Sequence, residues 1–141
     1  LSQTEQVSYL KDKKIDAIMG AESRGFIVGA AIAYKLGVGF IPVRKPGKLP
    51  CKTCQVSYDL EYGSNTLEMH IDAINKGDSI LIVDDLVATG GTAKAMAEII
   101  EKMGGNVVGF SFLVELSFLN PRKALEGYDV HSLVEYDCET M

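Results

Sequence analysis

The chain has no tryptophan, two histidines, three cysteines and four prolines in 141 residues, and no surplus of positive charge: its formal net charge is -5. Each shortage excludes something. Phosphate backbones are bound through excess Lys and Arg, so the acidic balance argues against a nucleic-acid binder, and any anionic ligand must be small and met locally. Cys51, Cys54 and Cys138 form an odd set that cannot pair fully within one chain. Cys51-Lys-Thr-Cys54 has the spacing of a redox pair or half a zinc site. Zinc needs more ligands, and only His70, His131 and Cys138 remain, without recognisable spacing. A redox pair belongs at a helix N-terminus after a strand, whereas this one follows Pro50 in a Lys-rich loop, so free thiols are expected and both histidines are read as structural. Long apolar runs are also lacking. Val107 to Val114 falls far short of the roughly 20 residues that span a bilayer, and no basic-then-apolar leader opens the chain. The expectation is a soluble, cytoplasmic protein with no membrane contact. Repeats and low-complexity segments are absent as well.

What remains is ordinary globular material. Hydrophobic residues make up 47% and charged residues 23%, enough apolar surface for one domain over residues 1–141. Leu1, where a Met would stand, points to an incomplete or processed N-terminus. A weakly patterned helix is expected over residues 1–13, then an apolar strand at Ile15 to Met19, a buried helix at Gly25 to Lys35 and a strand at Val38 to Val43. Residues 44–56, with Pro46, Gly47 and Pro50 among four basic side chains, read as a mobile loop. Val56 to Glu61 and Thr66 to His70 read as a hairpin around Gly63-Ser-Asn65. After a turn at Asn75 to Asp78 come a strand at Ile80 to Val83, a helix at Gly91 to Met103 and a strand at Val107 to Leu113. A helical turn at Pro121 to Leu125 and a last strand at Val130 to Tyr136 follow. The second long helix is the best marked: Ala93, Met96, Ile99, Ile100 and Met103 share one face, and Gly104-Gly105 ends it. Strands that are continuous apolar runs are parallel strands covered on both faces. The fold class is therefore α/β, a mostly parallel sheet flanked by helices, with ligands beyond the carboxyl ends of the strands.

One stretch lies at such an end: "ILIVDDLVATGGT", Ile80 to Thr92. Gly90 and Gly91 let the backbone turn tightly and approach a ligand, and the amides of residues 88–92 converge at a helix N-terminus, where a phosphate binds. Thr89 and Thr92 add hydroxyl donors. The carboxylates of Asp84 and Asp85 repel that phosphate and need hydroxyls, an amine or a metal ion, so a sugar phosphate satisfies both demands. Successive extended residues point to opposite faces, which gives the two acids different roles. A lone Gly-Gly-Thr is more often a plain turn and cap; the whole string is not.

That string is neither of the common glycine-rich phosphate motifs. It resembles the phosphoribosyl-diphosphate (PRPP) motif of the type I phosphoribosyltransferases. "GAESRGF" (Gly20 to Phe26), "PVRKPGKLP" (Pro42 to Pro50), "YDLEYG" (Tyr58 to Gly63) and "FLVELSFL" (Phe112 to Leu119) follow in the order seen in the adenine-specific members, from about Ile15 to Tyr136. The N-terminal segment that those members fold into a hood over the base looks absent.

The resemblance implies a type I fold with a flexible loop and a hairpin insertion, and purine salvage: adenine and PRPP give AMP and pyrophosphate with Mg²⁺. It implies that Ala88, Thr89, Gly90, Gly91 and Thr92 hold the 5′-phosphate and that Asp84 and Asp85 meet the ribose hydroxyls directly or through hydrated metal, with no direct metal ligand from the protein. Arg24 would contact pyrophosphate, and Arg44, Lys45 and Lys48 would lie on a basic loop that folds over it. Glu61 would manage the proton of the base, with a subunit contact as its structural alternative. Leu116 would line the adenine pocket. Arg24, Lys48 and Glu61 are thus the catalytic candidates, and a homodimer is implied because related enzymes pair near their active sites. Competing readings are a PRPP-binding regulator, a transferase for another purine base, and a receiver-like signalling domain whose acid pair binds Mg²⁺. The last has no use for the basic loop.

Overall fold

The computed structural model describes residues 14–50, 52–60 and 63–137, with 58–60 and 63–65 described for the backbone alone. The helix expected over residues 1–13, together with Cys51, Glu61, Tyr62 and Cys138, lies outside the described residues. Eleven elements follow in chain order: β1 (Ala17–Ala21), α1 (Arg24–Leu36), β2 (Gly39–Val43), β3 (Thr53–Leu60), β4 (Gly63–His70), β5 (Ser79–Val87), α2 (Gly91–Lys102), β6 (Asn106–Leu116), a 3-10 turn (Ser117–Leu119), α3 (Pro121–Ala124) and β7 (Val130–Tyr136). Five strands form a parallel sheet in the order β2-β1-β5-β6-β7, and β3 pairs antiparallel with β4 in a separate hairpin.

The apolar runs of β1 and β5 are buried on both faces. Ile18, Leu81 and Val83 turn to one side, where Val28, Ile32 and Ala33 of α1 cover them. Met19, Ile80, Ile82, Phe110 and Phe112 turn to the other, against Met96, Ile99 and Ile100 of α2 and Cys54, Leu67 and Met69 of the hairpin. Each fully buried side chain of this kind contributes about 1.5–3 kcal/mol. Helix α1 lies close on the sheet because its contact residues are small: a Cβ at Gly29 would come within 2.6 Å of the Phe40 ring, and one at Gly20 within 2.7 Å of the Gly25 carbonyl.

Three boundaries differ from the sequence reading. Strand β5 continues through both acids to Val87, because β6 itself runs to Leu116 and offers ladder partners: Asp84 opposes Phe112 and Val87 opposes Glu115. Pairing overrides the low strand propensity of Asp. The hairpin is longer than expected, in register from Thr53 opposite His70 to Leu60 opposite Gly63, so Gly63-Ser-Asn65 lies within β4 and not at a turn. The basic loop is correspondingly shorter and ends before Thr53, which leaves Cys54 buried in a strand.

Candidate functional site

Strands β1 and β5 are neighbours, yet β1 leads through α1 to β2 on one side while β5 leads through α2 to β6 on the other. The chain thus parts in opposite directions at their carboxyl ends, which opens a crevice. A cavity of about 280 Å³ occupies it. Two loops form its walls, Ala21 to Arg24 after β1 and Asp84 to Ala93 through the end of β5, with Phe112 of β6 behind. Arg24, Asp84, Asp85, Ala88, Thr89, Gly90, Gly91 and Thr92 therefore share one cavity, although more than fifty residues separate the two loops.

Two helix N-termini open onto this space. Helix α1 begins at Arg24 and α2 at Gly91; neither has a side-chain cap hydrogen bond or an acidic residue in its first turn. A helix start leaves its leading amides without carbonyl partners in the helix and carries the positive end of the macrodipole, so each presents donors to an anion. Gly90 reaches the start of α2 with φ of 90°, the left-handed region glycine tolerates. A side chain there would not point to a ligand: its Cβ would meet the Pro121 carbonyl and the Ala124 Cβ at 3.0 Å. The tight turn that the sequence reading gives Gly90 is present, and the packing on α3 adds a second reason for glycine there. Its left-handed turn and its seat on α3 demand glycine.

The acids line the same cavity, against the start of α1. The Asp85 amide donates to Asp84 Oδ1 at 2.8 Å, and Asp85 Oδ2 meets Arg24 Nε at 2.9 Å. Asp84 sits over Gly25, where an added Cβ would lie 3.1 Å from its Oδ1. Burial, then the Asp85 carboxyl beside it, pushes the Asp84 carboxyl up to about 7, while the Asp85 amide and Arg24 pull the other way. The two acids do have different surroundings. Arg24 is 73% exposed, so its ion pair contributes little to stability.

The basic loop converges on a residue that the sequence reading did not single out. Glu22 lines the cavity, and its carboxylate accepts the Lys45 amide at 2.8 Å, Lys48 Nζ at 2.9 Å and Arg44 Nε at 3.3 Å. The Lys48 hydrogen bond, the Lys45 amide and the nearby charges outweigh burial and hold Glu22 at about 2. Arg44, Lys45 and Lys48 thus stand at the rim and form no part of the cavity wall. Leu116 also lies outside that wall; it ends β6, paired with Tyr136. Phe112, four residues earlier on the same strand, reaches the cavity. No local pattern marks Glu22 or Phe112, because their place depends on which strand ends become neighbours. Among the described residues no three His, Cys, Asp or Glu side chains stand close enough to hold a metal ion, and no helix is long and apolar enough to cross a membrane.

Comparison with known proteins gives a consistent result. A family model described as phosphoribosyl transferase domain matches residues 4–137. The adenine phosphoribosyltransferase of Thermotoga sp. (strain RQ2) is 61% identical over 125 residues, which are 89% of this chain and 74% of the relative. Among solved structures, adenine phosphoribosyltransferase from Thermoanaerobacter pseudethanolicus is similar with a TM-score of 0.94 at 51% identity, covering 96% of this chain and 78% of that one. The enzyme from Saccharomyces cerevisiae, complexed with D-2,5-dideoxy-2,5-imino-altritol 1,6-bisphosphate and adenine, is similar with a TM-score of 0.85 at 43% identity, covering 93% of this chain and 74% of that one.

Proposed function

Because the chain belongs to the phosphoribosyl transferase domain family, we propose that the cavity between β1 and β5 is its PRPP site, where adenine displaces pyrophosphate to give AMP. One observation carries the reading: two helix starts and two carboxylates line one cavity. That arrangement suits a ligand with an anion at each end and hydroxyls in the middle, which is the chemistry of a pentose carrying a monoester and a diphosphate. The yeast relative is complexed with a sugar-like bisphosphate and adenine together, which supports the same ligand class here.

The 5′-phosphate takes the turn Ala88 to Thr92 at the start of α2, and the ribose hydroxyls take Asp84 and Asp85. The diphosphate takes Arg24 and the start of α1, bordered by the cations of Arg44, Lys45 and Lys48. Displacement at the anomeric carbon develops positive charge on the ring and negative charge on the departing diphosphate. Preorganised donors aimed at the departing oxygens lower that barrier by several kcal/mol where water is excluded. The acids, close to the ring, favour its positive charge.

Mg²⁺ fits this donor set as a substrate-borne ion. Two carboxylates, one paired with Arg24, do not make a protein cage, and Mg²⁺ is usually held through substrate phosphates, water and one or two carboxylates. When bound it would neutralise diphosphate charge, and Asp84 and Asp85 are the residues that would hold it, through water. Glu61 remains the proposed partner for the proton of the base and Leu116 the proposed edge of the base pocket. We take the assembly to be a homodimer: Ile27 and Tyr34, two turns apart on the same face of α1, are 72% and 86% exposed and suit an apolar contact with a second copy.

The test is a spectrophotometric assay with PRPP, Mg²⁺ and each of adenine, hypoxanthine, guanine and xanthine. Adenine should be consumed with release of pyrophosphate. Preference for another base would overturn the assignment of substrate, and binding of PRPP with no turnover would make the chain a regulator.

A further inference from the structure

The basic loop is held by more than its charges. Arg44 exchanges both its amide and its carbonyl with the backbone of Glu68, at 2.9 and 2.8 Å. The Lys45 amide goes to Glu22 Oε1 at 2.8 Å, and the Gly47 amide goes to Glu68 Oε1, also at 2.8 Å. Two carboxylates from different elements, one after β1 and one within β4, thus seize alternate amides of one short turn. Glu68 is 5% exposed and, among the described residues, pairs with no cation: the Gly47 amide, the Thr53 hydroxyl at 3.0 Å and the Gln55 amide donate to it. Those donors, the Gly47 amide foremost, hold its carboxyl below the usual carboxylate range despite burial.

From this we infer that Glu22 and Glu68 are positioning residues that fix the main-chain path of residues 44–48 at the cavity rim, and so fix where the cations of that loop meet the diphosphate. The inference rests on the PRPP reading of the cavity. Side-chain contacts such as Lys48 to Glu22 can be exchanged for contacts to a phosphate, since an ammonium group turns freely on its stem. A backbone amide cannot swing away, so the frame persists while the cations change partners. A carboxylate is required at both places because both of its oxygens accept. On Glu68, Oε1 takes Gly47 and Oε2 takes Thr53 and Gln55; on Glu22, Oε1 takes Lys45 and Arg44 and Oε2 takes Lys48. A glutamine in either orientation would set its own NH₂ against a donor.

The experiment is calorimetric titration of wild type, Glu22→Gln and Glu68→Gln with two probes, pyrophosphate plus Mg²⁺ and AMP, alongside a thermal melt of each protein. The frame predicts that pyrophosphate binding weakens roughly tenfold in both variants while AMP, which has no diphosphate, changes by less than about twofold. Unchanged pyrophosphate affinity in both would overturn the inference. So would parallel weakening of both probes in step with a lowered melting temperature, which marks an ordinary structural role. Should Glu68→Gln fail to fold, Glu22→Gln decides alone. Failure of wild type to bind either probe would instead overturn the PRPP reading of the cavity.

Discussion

Asp84, a proposed binding residue, is held in surroundings that disfavour its charged form. Its carboxyl has an ordinary value of 3.8 and is raised to about 7, first by burial and then by Asp85. A group whose folded value lies above its unfolded one adds stability in full below the unfolded value. That stability is lost as pH climbs through the folded one, here between about 4 and 7. Asp84→Asn keeps the neutral form at every pH, so the variant should match wild type near pH 4 and exceed it by about 1–3 kcal/mol at pH 8.5. Urea unfolding at both values measures the gap, and a gap that does not grow with pH would count against the account. The same variant should bind AMP about tenfold more weakly, since an amide is a poorer acceptor for ribose hydroxyls than a carboxylate. Gly90 allows a second separation at this scale. Gly90 and Gly127 both have φ near 90°, but a Cβ at Gly127 meets nothing within 4 Å while one at Gly90 meets α3 at 3.0 Å. Gly127→Ala should therefore cost only the backbone strain, about 1 kcal/mol, and Gly90→Ala about 2–3 kcal/mol together with lost phosphate affinity. Equal losses from the two in denaturant titrations would show that the seat on α3 is unimportant.

Among the elements, α3 is the short one on which the proposed phosphate turn rests at Gly90, and an ion pair ties it down. Glu115 of β6 is 2% exposed. Burial alone would push its carboxyl up, but hydrogen bonds from Arg122 and Ser132, with the charge of Arg122, hold it below the usual range. Arg122 gives it Nε at 3.0 Å and Nη2 at 3.0 Å, and spends Nη1 on the Val130 carbonyl of β7. Arg122→Met leaves a buried carboxylate with Ser132 as its remaining hydrogen-bond donor. It should destabilise the protein by about 2–4 kcal/mol and weaken phosphate binding as α3 shifts beneath Gly90. A double variant with Glu115→Gln should recover part of the loss; no recovery would mean that Arg122 acts through packing alone. The elements were legible in the sequence to different depths. The α2 face, its glycine stop and the acid-glycine-threonine string are local signals, so the helix and the residues of the main cavity could be read directly. The extra length of β5 and β6 could not, because it is set by ladder partners more than twenty residues away, and that of the hairpin rests on pairs such as Thr53 with His70 and on Thr53 and Gln55 closing on Glu68. The basic run was readable as a loop, but its counter-charge Glu22, more than twenty residues upstream, was not.

For the molecule as a whole, the decisive fact is that β1 and β5 lie side by side while the chain leaves them in opposite directions. Nothing in the order of the motifs announces that adjacency, yet it is what brings the Glu22 to Arg24 loop against the Asp84 to Thr92 loop. A ligand that fills the crevice therefore bridges two halves of the sheet and should stabilise them jointly. At a hundred times its dissociation constant, any ligand bound only to the folded state adds about 2.7 kcal/mol. For a chain of this size that corresponds to a rise in melting temperature of about 10 °C. AMP should reach this value, whereas adenine alone at the same concentration should fall well short, because it brings no anion to the start of α2. The two loops can then be resolved by hydrogen exchange. AMP alone should slow exchange through residues 85–92 and leave residues 22–25 nearly as before, since only the monoester end is filled. AMP with pyrophosphate and Mg²⁺ should slow both stretches together. If AMP alone protected residues 22–25 as strongly as residues 85–92, the division of the cavity into a monoester end on α2 and a diphosphate end on α1 would be wrong, even though the family and the fold stood.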